Sequence, residues 1–395
     1  MTKIINKNYK KLQNNYIFTE ISQKITKYLE HNTQADIISL GIGDVSLPLG
    51  ENLVNVMTKE LEKQKTKQGF VGYPPEVGYP FLRNAISRFY KKRKIQIEVE
   101  EVFVSNGAGC DIGNILDLFS NLTAVIQDPT YPAYFDSNVL SGNKIKLIRA
   151  THENNFLPSP KGLKKKSYLI YLCSPNNPTG QTLGKKELKE WVDFANSTNS
   201  IIIFDSAYSC FVSDDSPKSI FEIKGSKTCA IEIASFSKMA GFTNIRCGYT
   251  IVPKNLIRQN LSLNKMWNRR QCTKFNGVPY FVQKGAEYVL SDDGQNECQK
   301  NVNYYKNNVQ IIKNCLNQIG LKSINSSNSP YIWVKVKDEY TSWKFFDELL
   351  NNCQVVCVPG VGFGKSGEGY VRFSGFGSYE NTMIACKRMI EYFKK

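Results

Sequence analysis

The chain has 395 residues, of which 41% are hydrophobic and 22% charged, a composition that supports one large or two moderate cores and argues against wholesale disorder. Its formal charge of +16 is dispersed, with short runs at Lys91, Lys92 and Arg93 and at Lys164, Lys165 and Lys166. Without a recognition-helix, RNP or zinc-finger pattern, this charge reads as a solvated lysine-rich surface that also attracts acidic substrates, not as a nucleic-acid footprint. The 11 cysteines have no C-x-x-C spacing, and the 2 histidines are His31 and His152. These counts argue against a disulfide framework, a metal site and a histidine-based triad. Cys353 and Cys357, four apart, suit a buried apolar strand better than a metal clip. No apolar run reaches the ~18 residues of a membrane span, and MTKIINKNYKKLQNNYIF lacks the apolar stretch of a secretory signal. A cytoplasmic protein is expected.

In chain order, VFVS (102–105), TAVIQ (123–127), KIKLI (144–148), YLIYLC (168–173), SIIIFD (200–205), TCAIEIAS (228–235) and CGYTIV (247–252) read as strands. Several are apolar at nearly every position, as when both faces of a parallel sheet are covered. KKELKEWVDFANS (185–197) has a helical pattern, and the alternation predicts an α/β sandwich. A long helix is predicted from about Asp293 to Gly320. YIWVKV (331–336), helical SWKFFDELLNN (342–352), VVCVP (355–359) and GYVRFS (369–374) then form a smaller α+β unit.

Ligands of open α/β sheets bind beyond the carboxyl ends of the strands, and four strand ends here carry polar signatures. SNGAG (105–109) is a glycine-bearing turn into a helix, which presents N–H groups to an anion. CSPNNPTG (173–180) is an ordered turn whose asparagines can face a ligand. IIIFDSAY (201–208) closes a buried strand with Asp205, a carboxylate that is costly there unless a cation meets it. SFSKMAGFTNIR (235–246) gathers Ser235, Ser237, Lys238 and Arg246 in one segment. Each alone is an ordinary turn or cap. Together they fit pyridoxal phosphate, which needs an amine, a carboxylate for its ring nitrogen and donors for its phosphate. Lys238 supplies the amine and Asp205 the carboxylate. Arg246, Ser235, Ser237 and the Ala108–Gly109 turn supply the donors. Tyr131 can stack on the ring, and Asn177 and Tyr208 can hydrogen-bond its hydroxyl. Two decoys fail. Ser235-x-x-Lys238 lacks the S-D-N and K-T-G elements of penicillin-binding enzymes. GVGFGKSG (360–367) has Pro359 where a P-loop needs glycine, and reads as a glycine-rich loop near the site.

From NNYIFTEI (14–21) and LGIGDVSLPL (40–49) through GYPPEVGY (72–79), DPTYPAY (128–134), CSPNNPTG, SFSKMAGF and FNG (275–277) to PGVGFGKSGEGYVRFS (359–374), the sequence resembles the fold-type-I pyridoxal-phosphate aminotransferases, and among them the LL-diaminopimelate aminotransferase family. The resemblance implies a mainly parallel seven-stranded sheet between helices. It also implies a smaller domain built from both chain ends, with residues 1–49 and 293–395 flanking a large domain at 50–292. It makes Lys238 the Schiff-base lysine, and Ala108, Gly109, Tyr131, Asn177, Asp205, Tyr208, Ser235, Ser237 and Arg246 cofactor contacts. Tyr73 matches a tyrosine that reaches the phosphate of a second subunit, so a homodimer with shared sites is expected. Arg372 matches the arginine that clamps the substrate α-carboxylate. Tyr16, Gly43, Glu76 and Asn276 match substrate-pocket positions, with Asn276 also near the cofactor and the last two supplied across the dimer. Amino acids and 2-oxo acids are the implied substrates. An aminotransferase for lysine or an aromatic amino acid, or a lyase or decarboxylase on the same scaffold, are the alternatives. One position departs: the family reads S-D-G-A-K where this chain has Ser105-Asn106-Gly107-Ala108-Gly109, so a substrate-contacting lysine is missing.

Overall fold

The computed structural model describes residues 4–12, 17–324 and 327–394. Its central element is a seven-stranded sheet in the order Val102–Ser105, Gly248–Ile251, Ala230–Ser235, Ile201–Asp205, Leu169–Cys173, Thr123–Asp128, Lys144–Arg149. All strands run the same way except Gly248–Ile251, which is antiparallel to both neighbours. The mainly parallel fold expected from the sequence is the one observed.

The middle strands Leu169–Cys173 and Ile201–Asp205 are buried at every position, because successive side chains enter cores on opposite faces. Ile170, Leu172, Ile202 and Phe204 join one core; Leu169, Tyr171, Ile201 and Ile203 join the other. The helix Lys185–Ser197 covers the first face with Leu188, Trp191, Val192 and Ala195, a helical stripe at i, i+3, i+4 and i+7. The Trp191 ring is buried and its indole N–H donates to the Pro158 carbonyl at 3.0 Å. Each such large side chain contributes about 1.5–3 kcal/mol on burial. The edge strand Lys144–Arg149 is mostly exposed, and its lysines and arginine discourage pairing with another chain.

A third core joins Ile17, Ile21, Ile38 and Leu40 near the start of the chain to Trp333, Phe345, Val356 and Phe373 near its end. It packs around a four-stranded sheet containing Tyr331–Lys335 and Tyr370–Ser374, with Trp333 opposite Arg372. The long helix spans Asp292–Gln318. The expected single strand at 355–359 is instead two. Val355–Val356 pairs in parallel with Ile38–Ser39, and Val358–Pro359 pairs antiparallel with Arg372 and Val371. The chain changes sheets at Cys357, something that a uniformly apolar run does not signal. Cys353, expected on that strand, is the last residue of the helix Ser342–Cys353. Both thiols are buried and free.

This topology places the site. The parallel strands end at one edge of the sheet, and Ser105, Asp128, Arg149, Cys173, Asp205 and Ser235 are their last residues. The reversed strand brings its beginning to that same edge, which delivers Arg246 beside Gly248 and the facing Ser105 and Ser235. The turn at Gly107 has φ +115°, and a Cβ there would lie 2.3 Å from an Arg246 nitrogen. Glycine is therefore required both by the backbone and by the approach of the guanidinium.

Candidate active site

A cavity of ≈ 450 Å³ opens at this edge. At one end the helix Ala108–Asn114 begins, and its first N–H groups have no partner within the helix. The Ser235 and Ser237 hydroxyls stand beside it, 2.9 Å apart. Arg246, at φ +48°, donates to the Thr243 carbonyl at 3.1 Å and, at 3.4 Å, to the Phe242 carbonyl and the Ser237 hydroxyl. All these acceptors are neutral, so among the described residues no anion compensates the guanidinium charge.

Asp205 also faces the cavity. Its carboxylate accepts from the Tyr134 hydroxyl at 2.7 Å and the Ala207 N–H at 3.0 Å. Burial raises its pKa, and the two donors oppose that rise. The site thus holds a carboxylate short of a cationic partner. Lys238 follows Ser237 on the short helix Ser237–Ala240. Its Nζ donates to the Gly43 carbonyl at 2.6 Å and lies 4.0 Å from the Asp44 carboxylate. Burial brings its pKa down to about 8; Asp44 opposes the shift, and the charges of Arg372 and Arg246 add to it. An amine in this range is available as a nucleophile and a base near neutral pH.

Arg372 is 0% exposed. Nη1 donates to Asn177 Oδ1 at 2.7 Å and Nη2 to the Gly41 carbonyl at 2.9 Å, while Nε has no partner among the described residues. The guanidinium carbon lies 4.2 Å from the Tyr331 ring centroid and 4.9 Å from that of Phe363. This charge too is buried among neutral groups, which is costly until an anion arrives.

Gly43, Ala108, Gly109, Tyr131, Asn177, Asp205, Tyr208, Ser235, Ser237, Lys238, Arg246 and Arg372 all line this one cavity. Tyr73 and Asn276 do not. They line a separate surface cavity of ≈ 640 Å³, where Gly277 packs against Pro74 and Pro75. Tyr73 is 89% exposed and Phe70 beside it 68%. Glu76 lies partly buried in the same 72–79 loop, away from the first cavity. Tyr16 falls outside the described residues. The loop at 360–367 lies against the site: Phe363 contacts Arg372, and its carbonyl accepts from Thr130 N–H at 2.9 Å. Sequence reading passed over Asp44, Tyr134 and Tyr331. Asp44 and Tyr134 stand inside motifs already singled out, LGIGD and DPTYPAY. Tyr331 had only the pattern of a core strand. Among the described residues no cluster of histidine, cysteine or acidic side chains is suited to hold a metal ion, and no helix is long and apolar enough to cross a membrane.

Residues 35–389 match the profile of the family described as aminotransferase class I and II. A protein of Prochlorococcus marinus (strain MIT 9515) named LL-diaminopimelate aminotransferase is 48% identical over 406 residues, covering 98% of this chain and 99% of the relative. One of the same name from Agathobacter rectalis is 47% identical over 401 residues, covering 98% of each. The solved structure of L,L-diaminopimelate aminotransferase from Chlamydomonas reinhardtii matches with a TM-score of 0.93 at 38% identity, covering 100% of this chain and 99% of that one.

The setting of Lys238 is open to titration. In protein freed of small molecules, labelling of Lys238 by an amine-directed reagent should be half-maximal at about pH 8, whereas exposed lysines need roughly pH 10. Asp44→Asn removes the charge that favours the ammonium, so the Lys238 midpoint should move down. Peptide mass spectrometry that finds Lys238 titrating with the surface lysines would contradict this account of the site.

Proposed function

Since the chain belongs to the aminotransferase class I and II family, and within it to the LL-diaminopimelate aminotransferases, we propose that it binds pyridoxal phosphate at Lys238. We further propose that it transfers an amino group reversibly between LL-diaminopimelate with 2-oxoglutarate and tetrahydrodipicolinate with L-glutamate. Enzymes of this family use pyridoxal phosphate, and the residues present fit it. The observation that carries the reading is the charge imbalance of one cavity: two guanidiniums without anions, one buried carboxylate without a cation, and a lysine of lowered pKa among them.

Arg246, the two serine hydroxyls and the first N–H groups of the helix at Ala108 and Gly109 would hold the phosphate. Asp205, steadied by Tyr134, would hold the ring nitrogen, and Tyr208 and Asn177 the ring hydroxyl. Bound there, the cofactor supplies an electron sink for charge developing at the substrate Cα. Lys238 Nζ would be the base that takes the proton from that carbon of the amino acid and, in the reverse direction, gives a proton to the same carbon of the 2-oxo acid as it becomes an amino acid. Asn177 Oδ1 and the Gly41 carbonyl fix the plane of Arg372, which takes the α-carboxylate of the amino acid and then of the 2-oxo acid. A decarboxylase must expel that carboxylate, and a buried guanidinium that binds it works against expulsion. The free thiols, most of them buried, support a reducing, cytoplasmic setting.

The working unit is proposed to be a homodimer. Exposed Tyr73 and Phe70, with Asn276 beside them, form an apolar rim that a second copy would cover. Tyr73, Glu76 and Asn276 would then complete the second copy's site. Two inactive variants, Lys238→Ala and Tyr73→Phe, should regain part of the activity when mixed and allowed to exchange subunits. A fully active monomer by light scattering would contradict shared sites.

Substrate choice turns on Gly109. A Cβ there meets nothing within 4 Å and its backbone is not left-handed, so a side chain can be added without strain. If the distal carboxylate of LL-diaminopimelate lies nearby, Gly109→Lys adds a charge-assisted contact. Such a contact is worth about 1.5–3 kcal/mol, or roughly tenfold to a hundredfold in kcat/KM. Steady-state comparison should rank LL-diaminopimelate above lysine and phenylalanine for the wild type, with Gly109→Lys widening the gap. A tenfold preference for lysine or phenylalanine would overturn the substrate assignment and leave the aminotransferase reading intact.

A further inference from the structure

We propose that Tyr331 is a positioning residue that ties the substrate-carboxylate arginine and the ring-tuning tyrosine into one unit, seating Arg372 against its ring and holding the Tyr208 hydroxyl with its own. The inference rests on the roles given to Arg372 and Tyr208 above.

Tyr331 begins the strand Tyr331–Lys335 and pairs with Ser374, two residues beyond Arg372 on the neighbouring strand. Residues two apart on a strand share a face, so the ring and the guanidinium meet diagonally, 4.2 Å from carbon to centroid. Its hydroxyl lies 2.9 Å from that of Tyr208, with the two rings 5.2 Å apart at 67°. Phe376 closes the Tyr331 ring edge-on at 5.9 Å, and the Ser329 hydroxyl takes its backbone N–H at 3.1 Å. A Cβ at Gly180, in the turn after Asn177, would fall 2.9 Å from the Tyr331 carbonyl. The residue therefore sits where the small sheet, the Asn177 turn and the Tyr208 loop converge, buried in the wall of the cavity.

The direction of the hydroxyl pair follows from the role of Tyr208. Burial pushes both phenols up. The Arg372 charge, 4.2 Å from the Tyr331 ring, opposes that rise at Tyr331. A phenol has one proton: when Tyr208 gives its own to the cofactor's ring oxygen, as proposed above, the Tyr331 hydroxyl is the one that donates between the pair. A hydroxyl that accepts one hydrogen bond donates the next more strongly. Donation to the cofactor's ring oxygen stabilises negative charge there and competes with the proton of the adjacent Lys238 linkage for that oxygen. Weakening Tyr208 as a donor should hold that proton longer and move the pH-dependent absorbance transition of the holoenzyme upward.

The experiment uses holoenzyme and two readouts: the pH of that transition, and equilibrium binding of pimelate, a seven-carbon dicarboxylate without an amine or ketone. Tyr331→Phe keeps the ring and loses the hydroxyl. It should raise the transition by about 0.3–1 pH unit and lower kcat, with KM and pimelate affinity within roughly twofold of wild type because the cation–π contact survives. Tyr331→Leu removes both contacts and should also weaken pimelate roughly tenfold. In a Tyr208→Phe background, Tyr331→Phe should add no further shift, since coupled groups are not additive. This cycle decides the matter even if Tyr331→Leu fails to fold. An unmoved transition in Tyr331→Phe, or a full additional shift in the double variant, overturns the inference alone. Wild type that takes up no yellow cofactor or binds no pimelate overturns the functional reading, and the inference with it.

Discussion

Arg372 is a full positive charge with no surface in water, and its hydrogen-bond partners are an amide oxygen and a carbonyl. Arg246, at the other end of the cavity, is only partly buried but also lacks an anionic partner among the described residues, held by two carbonyls and a hydroxyl. Burying a cation without an anion costs several kcal/mol, and only dipoles and aromatic faces offset it here. That cost would fall away on arrival of the phosphate and carboxylate of the proposed ligands. Binding is thereby coupled to the relief of a penalty already present in the fold. The rest of the architecture serves to hold these two charges apart at the mouth of one sheet.

Burial acts on both titratable centres between them, and in opposite senses. It raises the pKa of Asp205 and lowers that of Lys238, so each is drawn toward its neutral form. A ligand that brings a cationic ring nitrogen to Asp205 restores its charge, and a carbonyl carbon finds in Lys238 an amine ready to react. Tyr134, hydrogen-bonded to Asp205 and packed edge-on against Tyr131 at 5.8 Å, fixes the carboxylate without neutralising it. The single reversed strand, Gly248–Ile251, is what brings Arg246 into reach. A parallel strand in its place would have presented its far end.

Much of this was readable from residue order, because the parallel sheet gathers strand ends that lie far apart in the chain. Asp205, Ser235, Lys238 and Arg246 each follow or precede an apolar run, and polar residues at such places are few. The helix 185–197 was readable from its stripe of Leu188, Trp191, Val192 and Ala195. Tyr331 was not, because an aromatic residue at the head of YIWVKV has the same pattern whether it fills a core or seats an arginine. Its role depends on Arg372 and Tyr208, which are 41 and 123 residues away. The split at Cys357 was hidden for a related reason: five apolar residues satisfy one strand or two, and only the partners Ile38 and Arg372 decide between them.

The central claim is that the amine among these charges, and no other, carries the cofactor. Borohydride treatment of the yellow holoenzyme, followed by digestion and mass spectrometry, tests it most directly. Reduction should abolish the visible absorbance and leave the phosphopyridoxyl group on Lys238, and Lys238→Ala should lose turnover while retaining some non-covalent cofactor. An adduct on a different lysine, or undiminished turnover in Lys238→Ala, would contradict the account.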